Sequence, residues 1–346
     1  MSSSETFWHQ SKHVRKLLVL DLGFLGDTVH LIPALWAIRQ AWPAAELHVM
    51  VAEHVTQLLE VTPWVDQAWG YPRFPKGPKP WQDWGRIKKL RAAKFDAVLN
   101  LNGSDRSSFL TWLSGAPLRL GRCASMSFKK RILFTHPVVL QRGGKMVSKQ
   151  HCEFLQKAGI PCEEPEYRIT VPARIEQSVG ELLGMPPGTD RRVLHVSPFT
   201  TQDQKELPAE VLAVALNLIH RAVPEVPVVV SCANNERECV KLAQLLGRLD
   251  FTPYRVFAGG LGILELVAVL ARSRLHLGGD SGGLHVAVMS GAPTVSWFRR
   301  YEGAVEWLPE SERHHAFLGE ESAAGILGID GSALLGAALR FLECEK

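Results

Sequence analysis

Residues 16–41 read KLLVLDLGFLGDTVHLIPALWAIRQA. The apolar run Lys16–Asp21 is strand-like, Leu22–Gly26 holds two glycines and reads as a turn, and Asp27 to about Ala41 reads as a helix. Strand, glycine turn and helix in that order open a βαβ unit. Glu46–Val51 continues it as a second strand, and Ala97–Leu101 follows a helix near Trp84–Ala93. Alternation of this kind predicts an α/β fold, a parallel sheet with helices on both faces.

The pattern stops and restarts. Ile160 to Asp190 contains Pro161, Pro165, Pro172, Pro186 and Pro187 and reads as a connector. Beyond it come strands at Arg192–Val196, Val226–Ser231, Tyr254–Ala258, Leu275–Gly278 and Thr294–Trp297. Helices at Ala209–Ala222, Asn235–Leu246, Ile263–Ala271 and Gly283–Ser290 lie between them. The expected organisation is a first domain over 1–170 with a flexible start at 1–15 and a linker over 171–190. A second domain over 191–330 and a last helix within 331–346 follow. Two doubly wound domains facing each other would bind ligands between them, at the carboxyl ends of their strands.

Composition narrows the classes. Of 346 residues 46% are hydrophobic and 21% charged, as in an ordinary globular protein, and the net charge of +4 does not call for nucleic acid. No apolar run approaches the ~18 residues of a membrane span, and Leu17–Leu20 is too short for a secretory signal. The cysteines at 123, 152, 162, 232, 239 and 344 form no C-x-x-C pair, which argues against a thiolate zinc site and suits reduced thiols. The near-neutral total conceals one basic stretch. From Arg106 to Cys152 there is no Asp or Glu, while Arg106, Arg119, Arg122, Lys129, Lys130, Arg131, Arg142, Lys145 and Lys149 fall inside it. Such a run is either a solvated face or the wall of a site for an anionic partner. A proline-rich loop, Tyr71–Trp84, with Lys76, Lys79, Trp81 and Trp84, is either a surface excursion or a lip that touches substrate or membrane.

Three loops could carry chemistry. In Leu22–Asp27 the glycines permit a tight turn, and Asp27 is either a helix cap or a general base at a cleft edge. A dinucleotide reading of this turn, with Glu53 on a ribose, would make the protein a nicotinamide oxidoreductase. It ranks lower, because the pattern is G-x-x-G-D and Asp27 would oppose a pyrophosphate. The second loop, Gly278-Gly279-Asp280-Ser281-Gly282-Gly283-Leu284-His285, runs from a strand into a helix and exposes backbone N–H groups suited to a diphosphate. Asp280 would then face sugar hydroxyls, and His285 is either structural or a donor to the same ligand. In the third, Ser197–Pro208, Lys205 is either solvated or placed to neutralise a leaving diphosphate. No D-x-D pair occurs, so cations of the protein rather than a metal clamp would serve.

Taken together, Gly26–Leu35, Thr201–Pro208, Gly279–His285 and Gly291–Val295 resemble the motifs of glycosyltransferase family 9, the bacterial ADP-heptose:lipopolysaccharide heptosyltransferases. The resemblance extends from Leu17 to about Phe298. It implies a GT-B fold of two Rossmann-like domains and an inverting, metal-independent transfer of heptose to an inner-core acceptor, with Asp27 as base. It implies donor binding by Thr201, Lys205, Asp280, Ser281, Gly282, Gly283 and His285, with Glu236 (or Glu238 after a small shift) at the ribose and Leu261 beside adenine. Gly26, Arg122, Lys129, Lys130 and Arg131 would line the acceptor side. The partners implied are a nucleotide-sugar donor and a lipid A–core acceptor, without nucleic acid, for a cytoplasmic enzyme peripheral to the inner membrane. The residues after Gly121-Arg122, and Glu206-Leu207-Pro208 in place of a Trp-Pro, depart from the family pattern and leave the acceptor open.

Overall fold

The computed structural model describes residues 6–73, 77, 83–141, 143–185 and 192–343. The chain divides into two compact units, Met1–Thr170 and Val171–Lys346.

The first unit runs α1 (Phe7–Ser11), β1 (Lys16–Leu20), α2 (Leu25–Ala41), β2 (Glu46–Ala52), a 3₁₀ segment Glu53–Val61, β3 (Gln67–Tyr71) and α3 (Trp84–Ala92). It continues with β4 (Ala97–Asn100), α4 (Asp105–Leu113), β5 (Leu118–Cys123), α5 (Phe128–Leu133), β6 (His136–Val139) and α6 (Val147–Lys157). All six strands are parallel, in the order β3-β2-β1-β4-β5-β6. Leu17 to Leu20 are buried without alternation because β1 is a central strand covered on both faces. Helix α2 is buried continuously from Gly26 to Leu35 and packs against α6.

The second unit holds α7 (Ala173–Leu183), β7 (Val193–Ser197), α8 (Ala209–Ala222), β8 (Val228–Cys232), α9 (Glu236–Leu246), β9 (Arg255–Ala258) and α10 (Ile263–Ala271). Then come β10 (Ser273–Gly279), α11 (Gly282–Met289), β11 (Thr294–Arg299), β12 (His314–Ser322), β13 (Gly325–Leu327) and α12 (Gly331–Leu342). The sheet order is β13-β12-β11-β10-β7-β8-β9, parallel except for the β12–β13 hairpin. Leu194, Val196, Leu216, Val230, Leu277, Trp297 and Leu334 share its core.

Both sheets reverse strand order next to their first strand: between β1 and β4 in one, between β7 and β10 in the other. In doubly wound folds this switch point is where loops splay apart and ligands bind. The Gly23–Asp27 turn follows β1, and the Gly279–Gly283 loop follows β10, so each motif stands at the switch point of its own unit.

Several expectations are corrected. The stretch read as a linker contains a helix. Ala173–Leu183 is a helix of the second unit, with Ile175, Val179 and Leu183 at four-residue spacing on its buried side. The prolines bracket it instead of breaking it: Pro172 is its N-cap, and Gly184 closes it at φ 62°. The start of the chain is anchored from Phe7 on. Phe7 is buried edge-to-face against Trp42, whose Nε1–H donates to the Ser11 carbonyl at 2.7 Å. Helix α12 belongs to the second unit, where it packs on α8; a Cβ on Gly331 would come within 2.9 Å of Val214. Cys152 and Cys162 are joined as a disulfide, not held as reduced thiols, with Cα atoms 5.4 Å apart. Of the Tyr71–Trp84 loop, residues 74–76 and 78–82 lie outside the described residues. No helix among the described residues is long and apolar enough to cross a membrane.

Candidate active site

In the first unit, the site is built on the carboxyl end of β1. Asp21, buried as the chain leaves the strand, accepts from the Gly23 N–H at 2.8 Å and from Asn102 Nδ2 at 3.0 Å. Asn102 follows β4, so the second bond spans the switch point. The turn is tied further by Asp27, whose Oδ2 accepts the Phe24 N–H at 2.9 Å. Helix α2 starts at Leu25, two residues earlier than the sequence suggests, which makes Asp27 its third residue and Phe24 its N-cap. Asp27 is thus buried with one oxygen fixed by a backbone bond. Gly23 is required by this arrangement: a Cβ there would lie 2.2 Å from the Asp27 Cβ and 2.6 Å from Oδ2. Gly26 is buried in the first turn beside it.

The same geometry counts against the dinucleotide reading. The Phe24 amide that a pyrophosphate would need already serves Asp27, and the carboxylate fills the turn.

The residues expected on the acceptor side differ in their surroundings. Arg122 is buried and donates to the carbonyls of Leu140 and Gln141, each at 3.3 Å, and to Gln150 Oε1 at 2.7 Å. These bonds pin β5 to the segment leading into α6. Lys129 and Lys130 stand on α5, 3.3 and 3.5 Å from Asp105, and Lys130 also donates to Ser108 Oγ at 3.0 Å. Lys129 in particular holds the Asp105 carboxyl below the usual carboxylate range. The acid-free run is therefore answered by a carboxylate one residue before it begins. Arg131 is exposed.

In the second unit, Asp280 extends β10 by donating its N–H to the Trp297 carbonyl at 3.1 Å, and Ser281 is the N-cap of α11. The amides of Gly282 and Gly283 open that helix, where backbone N–H groups lack carbonyl partners and the helix dipole favours an anion. Ser281 makes no cap bond, and its buried Oγ has no hydrogen-bond partner among the described residues. Gly279 is confined: a Cβ would stand 2.7 Å from Trp297 Nε1 and 3.1 Å from the Lys205 carbonyl. Lys205 Nζ reaches Asp280 Oδ2 at 2.7 Å, and His285 Nε2 lies 4.0 Å from Asp280 Oδ1, its ring against Trp307. Lysine, aspartate, serine and the glycine amides therefore converge on one loop end.

The loop that carries Lys205 is clamped by residues the sequence reading passed over. Buried Glu206 accepts from the Thr200 N–H at 2.9 Å and from Lys241 Nζ at 2.7 Å, and it pairs with Arg237. Arg237 also donates to the Thr200 carbonyl at 2.8 Å, and it and Lys241 meet Asp203. The departure at Glu206 thus has a local reason: it anchors the loop to α9. Thr201 is exposed at the tip.

On α9, Asn235 and Glu238 cap the helix reciprocally. Asn235 accepts the Glu238 N–H at 2.9 Å, and Glu238 folds back onto the Ala233 N–H at 2.8 Å and Asn235 Nδ2 at 3.1 Å. Glu238 is consequently buried, while Glu236 is exposed. Half-buried Leu261 lies on the neighbouring loop, whose Gly259 has φ +76°; a Cβ added there would come within 2.6 Å of Asn234. Among the described residues no group of three or more His, Cys, Asp or Glu could hold a metal ion.

Sequence reasoning also missed Asp21, which it read only as the end of a strand, and Phe24, whose ring is 59% exposed beside Asp27. The Arg73 guanidinium lies 5.9 Å from that ring.

Residues 84–325, well over half of the chain, match the model of glycosyltransferase family 9 (heptosyltransferase). The chain belongs to this family. It is a glycosyltransferase. Among its curated relatives, the lipopolysaccharide core heptosyltransferase OpsX of Haemophilus influenzae is 24% identical over 288 residues, covering 82% of this chain and 79% of that protein. Among solved structures, a family 9 glycosyltransferase of Veillonella parvula superimposes with a TM-score of 0.80 at 19% identity, over 96% of this chain and 98% of its own. The ADP-heptose LPS heptosyltransferase II of Escherichia coli gives 0.75 at 16% identity, over 95% and 98%. These likenesses establish the fold as GT-B, with two Rossmann-like sheets.

Proposed function

We propose that this family 9 enzyme transfers heptose from ADP-heptose to an inner-core lipopolysaccharide acceptor, with inversion at the anomeric carbon. The observation that carries the reading is the convergence of Lys205, Asp280, Ser281 and the first-turn amides of α11 on one loop end. The names of the relatives support the sugar and the acceptor class.

In this mechanism the diphosphate lies on the Gly282 and Gly283 amides and the Ser281 hydroxyl, with the Lys205 ammonium beside it. Asp280 meets hydroxyls of the heptose, Glu236 the ribose and Leu261 the adenine, with Thr201 and His285 completing the donor side. An acceptor hydroxyl attacks the anomeric carbon from the face opposite the leaving group while Asp27 takes its proton. ADP departs with its growing charge neutralised by lysine and helix dipole, without a metal ion. Gly26, Lys129, Lys130 and Arg131 serve the acceptor side, where phosphorylated sugars match the basic charge. Work on a lipid-linked acceptor places the enzyme at the cytoplasmic face of the inner membrane as a peripheral protein.

Calorimetry with ADP and with NADH, followed by mass spectrometry of products from a panel of nucleotide sugars, tests the reading. Binding of NADH without ADP would sink it.

A further inference from the structure

Helices α3, α4 and α5 follow β3, β4 and β5, and each leads to the next strand in the same direction across the sheet. Right-handed crossovers put all three on one face, and α3 touches α4 as α4 touches α5. The outer surface of these helices is unusual in two ways.

Large apolar side chains on it reach solvent. Phe128 is 81% exposed, Trp84 62%, Ile132 50% and Trp112 45%. Phe128 and Ile132 stand four residues apart and so on one side of α5, with exposed Met126 just before them. It is also basic. The three helices carry Arg86, Lys88, Lys89, Arg91, Arg106, Lys129, Lys130 and Arg131 against the single acid Asp105, with Asp83 capping α3. Trp84, Lys88 and Arg91 recur at helical spacing on α3, and all three are exposed.

We infer that this face docks the enzyme onto an anionic lipid bilayer, with Phe128, Ile132, Trp112 and Trp84 entering the headgroup region and Lys88, Lys89 and Arg91 pairing with lipid phosphates. Indole and phenyl rings flanked by lysine and arginine are the side chains that the membrane interface favours. The charge argues for lipid over a second copy of the chain: a symmetric dimer through this face would set two strongly positive surfaces against each other. The inference rests on the proposed lipid-linked acceptor for its purpose, but not for its test.

The test is co-sedimentation of the full chain with vesicles that contain no lipopolysaccharide, so the outcome is independent of which sugar is transferred. The protein should partition onto vesicles of phosphatidylglycerol mixed with phosphatidylcholine, less so onto phosphatidylcholine alone, and less again at high salt. Phe128→Ser with Ile132→Ser removes two exposed apolar groups and should lower partitioning at least about tenfold. Lys88→Ala with Arg91→Ala should weaken binding and flatten its salt dependence. All these side chains are solvent-facing, so an unchanged thermal transition serves as the folding control. Absence of wild-type binding to anionic vesicles, or equal partitioning of wild type and the Phe128/Ile132 variant, would overturn the inference. A concentration-dependent dimer in sedimentation velocity that the same variant dissociates would also overturn it, by making the face a contact between copies.

Discussion

The Lys205 ammonium and the Asp280 carboxylate meet at 2.7 Å across the mouth of the α11 N-terminus, one from the loop after β7 and the other from the end of β10. Asp280 is buried and Lys205 about one-fifth exposed, so the pair is partly withdrawn from water and holds the lysine in place before any phosphate arrives. Its geometry ties the two strands that flank the switch point of this unit to a single ligand site.

Lys205→Ala should weaken ADP binding more than Ser281→Ala, because a charge-assisted contact to phosphate contributes more than a neutral one. About tenfold or more is expected for the lysine and a few-fold for the serine. Titration calorimetry checks both, and unchanged isotherms would place the donor elsewhere.

Asp27→Asn should cut turnover by roughly 10²–10⁴ while leaving ADP affinity intact. Asparagine keeps an oxygen that can accept the Phe24 N–H, so the turn should survive. A folded variant with normal turnover would reduce Asp27 to a helix-capping residue.

The two glutamates of α9 should separate. Glu238→Ala removes the fold-back onto Ala233 and should lower the thermal transition, whereas Glu236→Ala should weaken ADP binding with little effect on stability. Equal losses of ADP affinity without a stability difference would contradict this assignment.

Beneath the donor loop, His195 and His276 face each other through their Nδ1 atoms at 2.9 Å, and His195 also meets Ser231. Burial pushes the His195 imidazole down to about 3 and His276 well below its ordinary value, and burial also lowers His314 to about 4. These folded-state values lie below the unfolded ~6.5, so the stability they confer is complete above pH ~6.5 and is lost as pH falls toward ~4. A group neutral in the fold and protonated when unfolded gives a slope of up to about 1.4 kcal/mol per pH unit in that window. Urea midpoints between pH 7 and 4.5 should fall steeply for the wild type and less for His195→Asn. Parallel curves would show that the pair does not control acid stability.

What the sequence made legible follows from signal strength. Leu17–Leu20 and Leu275–Gly278 are uninterrupted apolar runs, as central parallel strands must be, and the glycines beside them mark the site loops. Edge strands β3 (QAWGY) and β6 (HPVV) carry weaker patterns, because half of their surface need not be apolar. Helix α7 was hidden by prolines that lie outside its ends. Asp27 was legible by position, but its bond to Phe24 depends on a helix start that side-chain chemistry alone does not fix. The burial of Arg122 was not legible, because charge counts as exposed in a sequence, whereas its guanidinium donates to two carbonyls and a glutamine inside the fold.

The most direct measurement is mass spectrometry of a lipid A–core acceptor after incubation with the enzyme and ADP-heptose, beside other nucleotide sugars and the Asp27→Asn variant. The account predicts an acceptor heavier by one heptose with ADP-heptose, none with the other donors, and loss of product in the variant. Transfer of a different sugar, or full product from Asp27→Asn, would contradict it.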